Sequence, residues 1–120
     1  MKKFQIISIF ALTLLYIFGT VNVVSAKGVF RINNETRYSM SRIYVCPYGE
    51  SFSHQQNSHV IPSGRTFTLG NMPISSSNRY WNIKIVLSNG KSREWKKQNL
   101  YSHHEMTIYD SGSKISADFD

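Results

Sequence analysis

A single cysteine, Cys46, stands in a chain of 120 residues. No internal disulfide can brace the fold, so a hydrophobic core must hold it unaided. Cys46 ends the apolar run Ile43-Tyr44-Val45, where an unpaired thiol behaves as a small buried hydrophobe. Acids are scarce as well: Glu35, Glu50, Glu94, Glu105, Asp110, Asp118 and Asp120 are the whole supply. That supply does not suggest the facing carboxylate pair of a glycoside hydrolase or the clustered carboxylates of a calcium site. The sequence has no HExxH or CxxC spacing and no GxSxG elbow, so the local signatures of zinc sites and of an activated serine are missing. It also has no internal repeat and no long helical periodicity, which excludes solenoids and helix bundles.

The first 26 residues, MKKFQIISIF ALTLLYIFGT VNVVSA, carry two lysines, an apolar run from Ile6 to Phe18 and the small residues Val24-Ser25-Ala26. This is the grammar of an export signal: cleaved apolar regions run to roughly 7–15 residues and membrane spans to about 20. Residues 1–26 are therefore expected to form a signal helix cleaved after Ala26, with the mature chain secreted or periplasmic and without a membrane span. Removing Lys2 and Lys3 leaves 12 Lys and Arg against 7 Asp and Glu. A surplus of that size attracts anionic surfaces weakly, but the cations are scattered singly apart from Lys96-Lys97.

Beyond the leader, apolar residues come in short bursts separated by Asn, Gly, Ser and Pro, the pattern of an all-β domain. Phe30 and Ile32 alternate with Arg31, and Arg42 to Cys46 forms a second burst that Pro47 stops. Pro62-Ser63-Gly64 reads as a turn leading into Arg65 to Leu69, with Phe67 and Leu69 inward. Residues 47–58 and 70–79 read as surface loops. The strongest signal is YWNIKIVLSNGKSREW, residues 80–95, where Asn89-Gly90 marks a hairpin. A strict two-residue turn would pair Ile85 with Glu94 and leave Trp95 outside. A three-residue loop with a glycine bulge shifts the pairing by one and brings Trp95 to the face of Ile83 and Ile85. The bulge is preferred: burying the indole gains about 25 cal/mol per Å², whereas an unpaired buried glutamate costs several kcal/mol.

"YSHHEM", residues 101–106, sets two histidines before a glutamate. Adjacent residues in extended chain point to opposite sides, so His103 and His104 cannot readily share an ion, and the segment is expected to be the connection before the strand Glu105 to Tyr109. A small histidine-dependent metal-binding hydrolase, using His103, His104 and Glu105 with His54 or His59, is the alternative. Arg79-Tyr80-Trp81 and Trp95-Lys96-Lys97 could stack bases and hold phosphates, but both tryptophans have core places, so nucleic acid is not the expected partner. Asn34-Glu35-Thr36 matches a glycosylation sequon, here read as chance.

The order of these motifs resembles that of a group of small exported bacterial β-proteins with no established activity. Their pattern, hydrophobic-x-N-N-x-T, I-x-x-L-Y-V-S-P, P-G-x-x-x-F-x-(I/L), Y-D-(I/L)-(K/R)-V-x-F-x-D-G and N-L-C, is met here in order. It corresponds to Phe30 to Thr36, Arg42 to Pro47, Pro62 to Leu69, Trp81 to Gly90 and Asn99-Leu100-Tyr101. Asn82 and Asn89 replace aspartates of the pattern and Tyr101 replaces a cysteine, so no role of those groups carries over. The resemblance implies the fold and export, and no activity.

The expectation is a single antiparallel β-sandwich of about seven short strands over residues 27–109, followed by a flexible polar tail, 110–120. The core is expected around Phe30, Ile32, Ile43, Val45, Phe67, Leu69, Trp81, Ile83, Ile85, Leu87, Met106 and Ile108. The expected function is a monomeric, non-enzymatic binding module for an envelope or host protein, or an anionic polymer, with no cofactor or metal. Its candidate interaction surface is Phe52, His54, His59, Arg79, Lys96, Lys97, His103 and His104.

Overall fold

Alternating apolar residues become strands wherever one face of each can be covered, and here seven segments do so. The protein's structure, a computed structural model, describes residues 28–120; the expected signal segment lies outside the described residues. In chain order the strands are β1 Gly28–Asn34, β2 Met40–Pro47, β3 Thr66–Met72, β4 Tyr80–Leu87, β5 Ser92–Asn99, β6 Glu105–Ser111 and β7 Lys114–Phe119. They form a four-stranded sheet ordered β3-β1-β6-β7 and a three-stranded sheet ordered β2-β4-β5. One apolar cluster draws on every strand, including Phe30, Ile32, Ile43, Leu69, Ile83, Ile85, Trp95, Met106, Ile108 and Ile115. The two sheets therefore share one interior in a sandwich-like arrangement.

Of the expected core residues, Val45 and Phe67 are only partly buried against the cluster, and the other ten belong to it. Met40, Ile61, Met72, Ile74, Trp95, Leu100 and Ile115 join them. The first part of the expected 70–79 loop is thus core: β3 runs on to Met72, and Ile74 seals the gap beside Gly28, where an added Cβ would meet the Ile74 Cδ1 at 2.6 Å.

Two expectations fail. The sheets are not wholly antiparallel, because β1 pairs in parallel with β6, from Arg31 opposite Glu105 to Asn34 opposite Ile108. The stretch 110–120 is not a frayed tail: it turns at Gly112, φ 63°, and returns as β7 against β6. Ile115 is buried, with Ala117 and Phe119 packed against the cluster. Arg93 of β5, stacked 5.3 Å over Trp95, donates to the carbonyl of Ile115 and ties the second sheet to this last strand.

The preferred hairpin register is the one present. Ile83 faces Trp95, and Leu87 N–H donates to Lys91 C=O across Ser88-Asn89-Gly90, with Gly90 at φ 89°.

Buried polar groups demand partners, and at the corner after β1 they come from the β1–β2 connection and from Ile61. Asn34 is fully buried; its Nδ2 donates to the carbonyls of Tyr38 and Ile61, and its Oδ1 accepts from Thr36 N and Thr36 Oγ1. The apparent sequon is thus a structural corner, and its asparagine nitrogen is sequestered. Asn57 does similar work at the edge of β2. Its Oδ1 accepts from Ile43 N, and its Nδ2 donates to the carbonyls of Ser41 and His59. Loop 48–57 thereby blunts an edge that could otherwise recruit another strand.

Candidate functional site

A second irregularity lies in the β4–β5 hairpin, at the end opposite its turn. The pairing shifts between Trp81 and Ile83: Trp81 faces Gln98 while Ile83 faces Trp95, so Asn82 stands opposite both Lys96 and Lys97. Lys97 adopts φ 55°, a left-handed conformation that costs a side-chain-bearing residue about 1–2 kcal/mol. The N–H freed by the bulge donates to Asn82 Oδ1 at 3.0 Å, and Asn82 is itself buried. Beneath the same loop, Asn82 Nδ2 lies 3.9 Å from Cys46 Sγ, which in turn lies 3.4 Å from the Glu50 carbonyl. Burial pushes the Cys46 thiol up, as expected of a protonated donor rather than a nucleophile.

Without the extra residue, Lys97 would follow outward-facing Lys96 and point at the core, since side chains alternate along a strand. The bulge re-aims it. Its ammonium lies 5.4 Å from the Tyr48 ring and 5.5 Å from the Tyr80 ring. Those tyrosines are 52% and 41% exposed, so the charge stands at the surface between two uncovered rings. Arg79, next to Tyr80 in the chain, lies 5.3 Å over Tyr101, which is 49% exposed and lines a separate hollow. A backbone bond from Tyr48 N–H to Tyr80 C=O holds the row of Tyr48, Lys97 and Tyr80 together, and Leu100 N–H donates to Arg79 C=O, each at 2.9 Å. Each cation and ring pair is worth only about 0.5–1 kcal/mol at an exposed site. The effect on the site is to restrict where two long cationic side chains can go.

Next to this row is an open groove of about 420 Å³, walled by Tyr48, Glu50 and Phe52 of the loop after β2 and floored by Asn82, Glu94 and Lys96. It carries charges of both signs. Phe52 is half-buried rather than exposed, its ring 6.1 Å from that of Tyr44.

The expected surface residues separate into groups. Lys96, Lys97 and Phe52 belong to the row and its groove, while Arg79 pairs with Tyr101. His54 and His59 lie in the loop along the β2 edge, His59 beside the Ser58 hydroxyl at 3.2 Å. His103 sits edge-on to Phe119 at 6.2 Å, while His104 lines a different hollow with Arg31 and Tyr101. "YSHHEM" is therefore a connection in which neighbouring rings diverge. Its glutamate is committed elsewhere: Glu105 accepts from Arg31 at 3.0 Å and Asn33 at 2.9 Å, and these two bonds hold its carboxyl below the ordinary carboxylate range. Among the described residues, no three His, Cys, Asp or Glu side chains gather where they could hold a metal ion.

Sequence reasoning missed Tyr48, Tyr80 and Tyr101 as exposed rings and Asn82 as the buried anchor. One usable signal was Lys96-Lys97 directly after an inward Trp95, which forces either a buried lysine or a bulge.

No protein-family model and no curated protein matches the chain. Among solved structures, the fold is similar to an NMR structure of a protein from Eubacterium rectale, with 10% identity, 78% of this chain and 88% of that chain covered, and a TM-score of 0.55. At that identity the likeness speaks for the arrangement of strands alone. No helix among the described residues is long and apolar enough to cross a membrane.

Proposed function

We propose that this protein is an exported, non-enzymatic binding module that grips an anionic partner through the row Tyr48, Lys97 and Tyr80. In this reading the leader 1–26 is removed after Ala26, and the mature β-sandwich works in the periplasm or outside the cell. The leader's charge and apolar pattern supports export, as does the motif order resembling small exported bacterial β-proteins.

The observation that carries the proposal is the bulge at Lys97. The bulge holds a lysine in left-handed geometry, at a backbone cost, through a buried asparagine. The outcome here is a second cation on the outward face, flanked by exposed rings. A non-enzymatic role fits the rest of the chemistry: Glu105 and Asp110 are occupied by Arg31 and Arg37, and the histidines point apart.

Co-sedimentation with an insoluble envelope preparation tests the proposal. Wild type should pellet at low salt and be released at high salt, because exposed charge pairs are screened. The double variant Lys97→Glu/Tyr80→Ala should stay in the supernatant. Equal pelleting of the two proteins, or pelleting indifferent to salt, would sink the assignment.

A further inference from the structure

We infer that the partner is a carboxylated polysaccharide, an acidic glycan lying across the tyrosine row and into the adjoining groove; this rests on the binding-module reading above. Three features select that chemistry. The first is sparse and mixed charge. The row and groove offer Lys96 and Lys97, but Glu50 and Glu94 line the same groove as Lys96. A polyphosphate backbone offers those carboxylates few hydrogen-bond donors and would be repelled by them, and nucleic-acid affinity rests on neutralising many phosphates together. A uronate glycan presents each carboxylate beside hydroxyls on the same sugar. Lysine or arginine can pair with the former, and the glutamates can accept hydrogen bonds from the latter.

The second feature is the rings. Tyr48 and Tyr80 expose apolar faces with a polar tip on either side of Lys97 and not in a closed pocket. A pyranose has one face rich in C–H bonds and a rim of hydroxyls, and an aromatic ring can cover such a face while its phenol bonds the rim. The tryptophans, which would offer larger stacking platforms for bases, are buried in the core.

The third feature is shape. Tyr48 follows β2, Tyr80 begins β4, and Lys97 lies near the end of β5. Neighbouring strands stand about 4.8 Å apart, so the row crosses three strand ends and adjoins the groove. An open track of that kind suits a segment of a linear polymer better than a single small ion.

Binding of full-length mature protein to immobilised polygalacturonate, to its methyl ester and to a single-stranded oligonucleotide tests the inference, with near-ultraviolet circular dichroism as the check on folding. Polygalacturonate should be held, and the methyl ester should bind about tenfold more weakly, as when several exposed ion pairs are lost together. Lys97→Glu should weaken the polygalacturonate complex about tenfold, the size expected when one exposed pair becomes a repulsion. Tyr80→Ala should weaken it about fivefold through the lost ring face. Binding the ester or the oligonucleotide as tightly as the acid would overturn the inference, as would folded variants that bind like wild type. If polygalacturonate is not bound while envelope pelleting remains lost in the double variant, the glycan is wrong and the site stands. If pelleting is also indifferent to the double variant, both fall.

Discussion

Two buried asparagines do opposite work in this protein. Asn34, at the corner after β1, spends its whole hydrogen-bonding capacity inside the fold, on Tyr38, Ile61 and Thr36. Asn82, near the start of β4, accepts from the N–H of Lys97, and the result is a cation turned outward. Around Asn34 the chain ends a strand and starts another across the interior. Around Asn82 the chain interrupts a strand that would otherwise run on. The contrast suggests that a satisfied buried amide is by itself a neutral fact; what matters is whether the geometry it holds serves the core or the surface.

Variants can break that contrast, the largest effect first. Asn34→Ala leaves the Thr36 N–H unpaired in the interior and takes one of two donors from each of the Tyr38 and Ile61 carbonyls, and should cost about 3 kcal/mol of unfolding free energy, read as a lower urea midpoint at unchanged slope. Ile115→Ala tests whether β7 belongs to the fold. Removing a buried aliphatic side chain there should cost about 2–3 kcal/mol, whereas a frayed tail would show no change. Asn82→Ala removes one acceptor and should cost about 1–2 kcal/mol while also weakening pelleting with the envelope; Asn82→Asp keeps the acceptor and should retain binding.

Lys97→Gly sharpens the comparison most. Glycine relieves the left-handed backbone, so stability should be unchanged or higher by about 1 kcal/mol, yet binding should fall. Loss of stability and retention of binding together would mean that the bulge serves the fold. The smallest effect is electrostatic. Arg31 and Asn33 hold the Glu105 carboxyl low, and Arg37 does the same for Asp110. Both carboxyls are more acidic folded than unfolded, so their contribution is present above the unfolded carboxylate range and is lost as pH falls through the folded values. The urea midpoint should drop on acidification below about pH 4, and Glu105→Gln with Asp110→Asn should flatten that drop.

Much of the fold was legible because alternation is a local signal. Phe30 and Ile32, or Ile83 and Ile85, can only be satisfied together by a strand with one covered face. The hairpin register was legible for a similar reason: Trp95 and Glu94 differ so much in the cost of burial that one pairing wins. β7 was readable in principle, since Ile115, Ala117 and Phe119 alternate after Gly112, but the polar residues between them masked it. The parallel meeting of β1 with β6 was not readable, because no local pattern says which distant strand fills the space beside Ile32. The candidate site was half legible. Its cations stood in plain view, but the tyrosines that frame them come from three separate stretches of chain, and nothing in the two lysines themselves says that Lys97 leaves the strand.

By itself the sequence determined which segments extend, which side chains must leave water, and that no disulfide shares the load, since those follow from side-chain period, apolarity and a single thiol. The tertiary structure alone decided the parallel pair, the sealing of the last strand and the outward turn of Lys97. Each depends on which groups far apart in the chain become neighbours, and a buried N–H or an uncovered ring has its consequence only once that neighbour is in place.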